Sequence, residues 1–178
     1  MTCHQPDLAA LALIEALTRF YAAVDRRVRK LQAAHGTRLR CRRGCSGCCL
    51  DRLTVFGVEA RYIRHHCGRI LAEDAPQPEG ACALLDEEGA CRIYAYRPYV
   101  CRTQGVPLRW IDRLPDGTPV EMRDICPLNE EGPPVEGLPV KSCWTIGPFE
   151  QALSRLQAAN SGGHLQRVPL RSLMKGRP

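Results

Sequence analysis

Residues 41–50 read CRRGCSGCCL and hold four cysteines within nine positions. Cysteine thiolates bind zinc and iron, with sulfur–zinc distances of about 2.3 Å. Glycine and serine spacers let the chain turn tightly, so that several sulfurs can converge on one ion at little backbone strain. The chain of 178 residues has 11 cysteines in all, well above the usual share but below the density of a disulfide-built scaffold. We therefore interpret this segment as a metal-binding loop.

The rest of the composition narrows the class of protein. The N-terminal residues have no basic stretch before their apolar run, so we expect no secretory signal and a cytoplasmic location, where clustered thiols bind metal rather than form disulfides. Glu15 interrupts the most apolar stretch, so no membrane span is expected. Much of the net charge of +6 lies on arginines beside cysteines. Because no groove-reading motif accompanies it, we do not expect nucleic-acid binding.

Residues 1–36 are predicted to be dominated by one long amphipathic helix, beginning near Asp7 and ending at Gly36. Its apolar stripe alternates four- and three-residue spacings and consists of Ala10, Ile14, Leu17, Tyr21, Val24, Val28 and Leu31. We expect this stripe to pack on the rest of the same domain. The alternative is a homodimer formed through this helix.

The cysteine-rich domain is expected to cover residues 37–160. The patterns predict a helix at 58–67, a β-hairpin within 82–101 with an acidic turn ending at Gly89, mostly loop at 112–140, and a last helix at 148–160. Pairing of the hairpin arms would bring Cys82 and Cys91 together. Residues 161–178 are predicted to form a flexible tail.

The expected fold class is therefore α+β. We expect a small single domain with a long N-terminal helix, a short β-hairpin and cysteine-rich metal-binding loops.

The block CRRGCSGCC, followed by CALLDEEGACRIYAYRPYVCR at 82–102, resembles the YkgJ or CxxCxxCC family of cysteine-cluster proteins, described as a zinc- or iron-chelating domain. The resemblance covers about residues 41–105 and extends more weakly to Cys126. It implies metal ligation by six cysteines: Cys45, Cys48, Cys49, Cys82, Cys91 and Cys101. Cys41 and Cys126 complete the candidate ligand set, whereas Cys3 and Cys67 are interpreted as buried structural thiols.

Eight thiols exceed the four that one tetrahedral zinc site or one cubane uses. This surplus leaves room for two centres, or for one centre with additional redox-active cysteines. Gly47 would allow a turn that lets both Cys48 and Cys49 bind. Arg92, Arg97 and Arg102 are expected to offset thiolate charge.

We favour an iron–sulfur centre or iron as the cofactor. The expected role is electron transfer, redox sensing or metal handling, with a redox or protein partner. One alternative is a structural zinc module that mediates a protein interaction. Another is a metal-cluster-dependent enzyme similar to the flagellin lysine methylases.

Overall fold

A computed structural model describes residues 7–174. In this part of the chain the α-helices are α1 (Leu8–His35), α2 (Gly57–Glu73), α3 (Tyr99–Arg102) and α4 (Pro148–Ala159). The strands are β1 (Thr54–Phe56), β2 (Leu108–Arg113), β3 (Pro119–Asp124), β4 (Trp144–Thr145) and β5 (Arg167–Pro169). The predicted α+β class with a long N-terminal helix is confirmed.

Helix α1 has the predicted ends. The Asp7 carboxylate accepts hydrogen bonds from the backbone N–H groups of Ala9 and Ala10, both at 3.1 Å, which caps the first turn. Gly36 follows the last turn with φ of +53°, a conformation that favours glycine.

The buried stripe of α1 runs within the chain and consists of Leu13, Leu17, Tyr21, Val24, Val28 and Leu31. It agrees with the prediction from Leu17 onward. Toward the N-terminus, Leu13 is buried in place of Ile14, and Ala10 is half-buried. An α-helix drifts by about 20° per heptad from a 3.5-residue repeat, so a strict four-three pattern leaves the buried face after two heptads. Pairing with a second subunit stays a prediction.

Helix α2 lies between two apolar clusters. One of its faces meets the α1 stripe together with Trp144 of β4 and Leu153 of α4. Its other face packs with Leu84 and with Leu170, near the C-terminal end of the described residues. Helix α2 is therefore the central element of the fold, and the cysteine-bearing loops lie beside the two clusters that it separates.

The β-hairpin lies elsewhere than predicted. Strands β2 and β3 pair antiparallel from Leu108–Asp124 to Arg113–Pro119, and β4 adds to β2 in parallel. Within 82–101 a single bridge, Leu85–Cys91, is formed, and Tyr94–Tyr96 form a 3₁₀ turn. Pro98 has no N–H to donate to a neighbouring strand, so a strand could not continue through it. The prolines of the β2–β3 hairpin lie at its ends and in its turn, where no such hydrogen bond is needed.

The predicted flexible tail contributes to the core instead. Strand β5 pairs antiparallel with β1, with Val168 opposite Val55. Leu170 and Leu173 are buried in the same cluster as the outer face of α2. The apolar residues after Gly163 thus attach the C-terminal segment to the core, as far as the buried Met174. Among the described helices, none has the length and hydrophobicity needed to cross a membrane.

Candidate metal centre

Two tight turns fold the loop that carries the first four cysteines. The Cys45 N–H donates to the Arg42 carbonyl at 3.0 Å, and the Cys49 N–H donates to the Ser46 carbonyl at 2.8 Å. The residue with positive φ is Gly44, at +81°, and not Gly47, where we expected the flexible turn. The second turn keeps the thiols of Cys48 and Cys49 together, and the two side chains hydrogen-bond.

The acidic turn at 86–89 packs against this loop. The Gly89 N–H closes the turn by donating to the Asp86 carbonyl at 3.0 Å, with φ of +75° at Gly89. A Cβ at Gly89 would lie 3.5 Å from Ser46 Oγ, and one at Gly44 would lie 3.6 Å from the Glu88 carbonyl oxygen. A side chain at either glycine would thus reach van der Waals distance of the other segment, so the turn lies alongside the cysteine loop.

Four of the candidate cysteines form an inner group: Cys49, Cys82, Cys91 and Cys101. The Cys82 N–H donates to the Cys49 carbonyl at 3.1 Å. Leu85 links the next two members, because its N–H donates to the Cys82 carbonyl at 3.1 Å and it bridges Cys91. Cys49, Cys82 and Cys91 also belong to one apolar cluster. Cys101 lies close enough that the charges of Cys91 and Cys82 raise its pKa.

Helix α3 holds Cys101 between two buried anchors. On one side, the Tyr99 N–H donates to Oε1 of Glu59, which is 3% exposed, at 2.9 Å. On the other, the Arg102 guanidinium donates to Asp25 at 2.7 Å and is almost fully buried. The role expected for Arg102 beside the thiolates is thus replaced by a structural ion pair with α1.

The remaining candidates form an outer group: Cys41, Cys45, Cys48 and Cys126. Asn129, which is fully buried, organises it. Its Nδ2 donates to the Gly105 carbonyl at 2.7 Å and lies 3.6 Å from Cys41 Sγ, while its Oδ1 accepts from the Arg40 N–H at 2.8 Å. Its own N–H donates to the Cys126 carbonyl at 2.7 Å. Asn129 therefore ties Cys126 to the start of the cysteine loop.

Sequence reasoning missed Asn129 as a site residue. The segment CPLN was recognised only for its cysteine, although a Pro followed by an Asn near a turn often marks side-chain bonding to the backbone. The signal was local, but the partners at Arg40 and Gly105 are distant in sequence and could not be read from it.

Burial is the main cause that raises the pKa values of Cys82, Cys91 and Cys101, the last to about 12. The Cys49 pKa is raised chiefly by the hydrogen bond with Cys48, and the same bond lowers the pKa of Cys48 to about 6. Most inner thiols therefore stay protonated at neutral pH without a cation. Metal binding there must release protons.

In the outer group, burial raises the pKa of Cys41. The hydrogen bond from Asn129 opposes this change, and the charges of Cys126, Cys45 and Cys48 add to it. The four sulfurs are therefore near enough to repel one another as thiolates, a cost that a bound cation would offset.

The arginines near the thiols mainly bind backbone carbonyls, a carboxylate and an aromatic ring of the surrounding loops, and not the sulfur atoms. Arg92 donates to the Leu85 carbonyl at 2.6 Å and pairs with Asp74. Arg97 stacks 4.0 Å from the Tyr94 ring centroid, and among these three expected arginines its charge is the one that lowers the pKa of Cys91, a smaller effect than burial.

Arg171, in the predicted tail, pairs with Asp51 and donates to the carbonyls of Gln77 and Ala81 at 2.8 and 2.9 Å. It thereby fixes the segment that precedes Cys82. Sequence reasoning missed this role because it assigned residues 161–178 to a flexible tail.

Two described cysteines lie outside both groups. Cys67 is buried on α2, as predicted, and burial raises its pKa to about 11. Cys143 is fully buried beside Arg123, with 3.8 Å between the Arg123 nitrogen and the sulfur. Cys3 lies outside the described residues. Within 7–174, no three His, Cys, Asp or Glu side chains are arranged to hold a metal ion as they stand, so binding requires thiol rotations in the loops.

The donor set defines the kind of site: soft thiolates on loops, the ligands that zinc and iron–sulfur centres take. Residues 40–126 match the CxxCxxCC family, described as a zinc- or iron-chelating domain. The matched segment is just under half of the chain and contains every member of the inner and outer groups. The predicted resemblance to this family is confirmed over that segment. No curated protein and no solved structure matches the sequence.

Proposed function

We propose that the cysteines of the inner and outer groups bind iron in iron–sulfur form, and that the protein works in electron transfer or redox sensing. The observation that carries the proposal is that eight cysteines lie on segments that contact one another: the loop at 41–49, the segment at 82–91, α3 and the segment at 126–129. One tetrahedral ion or one cubane takes four thiolates, so eight thiols leave four for a second centre or for additional redox-active cysteines, and either use suits redox chemistry. An iron–sulfur centre, when bound, supplies one-electron transfer.

The exposure of the outer group supports a redox role. Cys41 and Cys48 are exposed, so a partner can approach the site closely. Arg42 and Arg43 beside them are exposed too. Their positive charge favours an acidic partner surface and stabilises the reduced, more negative form of a thiolate-bound centre.

A structural zinc site is the second candidate, and the inner group favours it. Cys82 is buried, and Cys49 and Cys91 pack on the apolar cluster formed by α2. A metal bound there would join three loop segments that few strands hold together, and it would contribute directly to folding. In that case the protein interaction, not electron transfer, would be the function.

A reversible redox titration of the anaerobically purified chain separates these candidates. We expect broad visible absorbance that bleaches on reduction with dithionite and returns on reoxidation. Cys143→Ser is the matched control, because it removes a buried thiol outside both groups and should leave the spectrum unchanged. A chain that binds zinc tightly and shows no reducible chromophore when made in iron-replete cells would establish the zinc candidate instead.

A further inference from the structure

The inner and outer groups are held by different parts of the fold. The inner group is built on α2, α3 and the turn at 86–89, through the Cys82–Cys49 backbone bond and the Leu85–Cys91 bridge. The outer group is built on Asn129, which reaches Cys41 with its side chain and Cys126 with its backbone. The side-chain hydrogen bond between Cys48 and Cys49 joins the two groups where they meet.

The two groups also differ in their surroundings. The inner cysteines contact the apolar cluster of α2, and Cys82 is 7% exposed. The outer cysteines lie at the surface: Cys41 and Cys48 are exposed, while Cys45 and Cys126 are half-buried. A cavity of about 130 Å³, lined in part by Cys41 and Gly105, opens beside the outer group. Solvent can therefore reach the outer thiols more readily than the inner ones.

Each group has four thiols, the number that completes one tetrahedral site or one cubane. The groups meet at Cys48, which is the sequence neighbour of Cys49 and lies near Cys101 as well. A single ion cannot bind all eight sulfurs. Each set therefore has enough thiols for one coordination shell, once the side chains rotate to face a common ion.

We propose that the chain holds two metal centres: an inner centre bound by Cys49, Cys82, Cys91 and Cys101, and an outer centre bound by Cys41, Cys45, Cys48 and Cys126. This inference rests on the proposed metal binding by these cysteines. The inner centre stabilises the fold. The outer centre is the exchangeable one and faces the partner.

Cobalt(II) tests the number of centres without depending on which native metal is bound. The full chain, reduced and freed of metal under anaerobic conditions, is titrated with Co²⁺ while the thiolate-to-cobalt absorbance is recorded. We expect saturation at two equivalents per chain. On addition of a chelator, one equivalent should leave rapidly and the other slowly, because the outer site is open to solvent.

Variants assign the equivalents. Cys126→Ser should weaken or remove the rapidly released equivalent and leave the slow one unchanged, and Cys91→Ser should do the reverse. Asn129→Ala keeps all eight thiols and should lower the affinity of the outer equivalent about 10- to 100-fold. Cys143→Ser, the control, removes a buried thiol outside both groups and should keep both equivalents.

Saturation at one equivalent in the wild-type chain would overturn the two-centre proposal while leaving metal binding intact. The proposal would also be overturned if Cys126→Ser and Asn129→Ala each weakened both cobalt equivalents to the same extent. Failure to bind any cobalt would overturn the proposed function as well. Cys91→Ser could prevent folding. The release of cobalt from the wild-type chain in two steps, on addition of a chelator, therefore tests the number of centres without that variant.

Discussion

Gly105→Ala is expected to weaken metal binding at the outer centre. Its effect on the stability of the fold should be no larger than that of alanine at another glycine with a similar positive φ. Gly105 has φ of +87°, where an alanine is strained by roughly 1–2 kcal/mol. A Cβ there would lie 2.3 Å from Cys41 Sγ, whereas carbon atoms in contact are normally about 3.5–4.0 Å apart. The sulfur must therefore move by at least about 1 Å. The displaced thiol loses its contact of 3.6 Å with Asn129 Nδ2, which holds it in the outer group, and the added methyl group restricts the rotations that would bring it to an ion, so binding should weaken.

Gly117→Ala is the matched control. Gly117 lies in the turn between β2 and β3 with φ of +85°, and a Cβ there meets nothing within 4 Å. It therefore carries the same backbone strain without the clash. Because Cys41 is exposed and its thiol can turn about one bond, both metal-free variants should lose about 1–2 kcal/mol, a fall in Tm of about 2–8 °C.

The two variants should part in metal binding. We expect Gly105→Ala to lose the outer cobalt equivalent or bind it at least tenfold more weakly, while Gly117→Ala binds two equivalents as the wild type does. Calorimetry of the metal-free chains and cobalt titration give the two readouts. Equal cobalt affinities in both variants would refute the assignment of Cys41 as a ligand. A far larger fall in Tm for Gly105→Ala would refute the claim that its sulfur can move freely.

Three further predictions concern stability. Cys101→Ser should lower both the metal content and the Tm of the metal-loaded chain, whereas Cys143→Ser should keep full metal content. Equal metal content by elemental analysis would remove Cys101 from the ligand set. Burial raises the pKa of Glu59, so the folded state binds the carboxyl proton more tightly than the unfolded state does. Wild-type stability should therefore fall as the pH rises from the ordinary glutamate pKa of about 4.3 through the raised pKa. Glu59→Gln should lack this fall in urea unfolding between pH 4 and 7, and a fall of the same size in both proteins would contradict the assignment. Leu17→Ala, at a fully buried position of α1, should cost about 2–5 kcal/mol of unfolding free energy, and a loss below about 1 kcal/mol would contradict the packing of α1 on this core.

Local signals predicted the parts of the fold that depend on neighbouring residues. The capping carboxylate of Asp7, the glycine at 36 and the apolar spacing from Leu17 to Leu31 together fix α1, because caps and helical periodicity act within a few residues. The start of α4 at Pro148 was read from the same kind of signal.

Tertiary contacts decided what local signals could not. Residues 82–101 have strand-like composition, but Cys91 makes a single bridge, since the chain turns into a 3₁₀ segment and α3 to reach Glu59. Residues 112–140 contain several prolines and were interpreted as mostly loop, although β3 and the turn before it lie within them. The pairing of β3 with β2 becomes favourable only with β4 alongside.

The identities of the candidate ligands could be read from the sequence, but their division into groups could not. Cys48 and Cys49 are adjacent in the chain and their thiols hydrogen-bond. Their assignment to different groups rests on the backbone bond of Cys49 with Cys82 and on the nearness of Cys48 to Cys41. Cys126 joins Cys41 only through the buried side chain of Asn129. Such pairings depend on contacts across 80 or more residues, which no spacing rule encodes.

The most direct test of the central claim is the metal and acid-labile sulfide content of the full chain, purified without oxygen from iron-replete cells. The proposed function predicts a brown protein in which iron and sulfide are present in similar amounts, and in which Cys101→Ser reduces both while Cys143→Ser reduces neither. Stoichiometric zinc with no sulfide, in protein from the same cells, would contradict it.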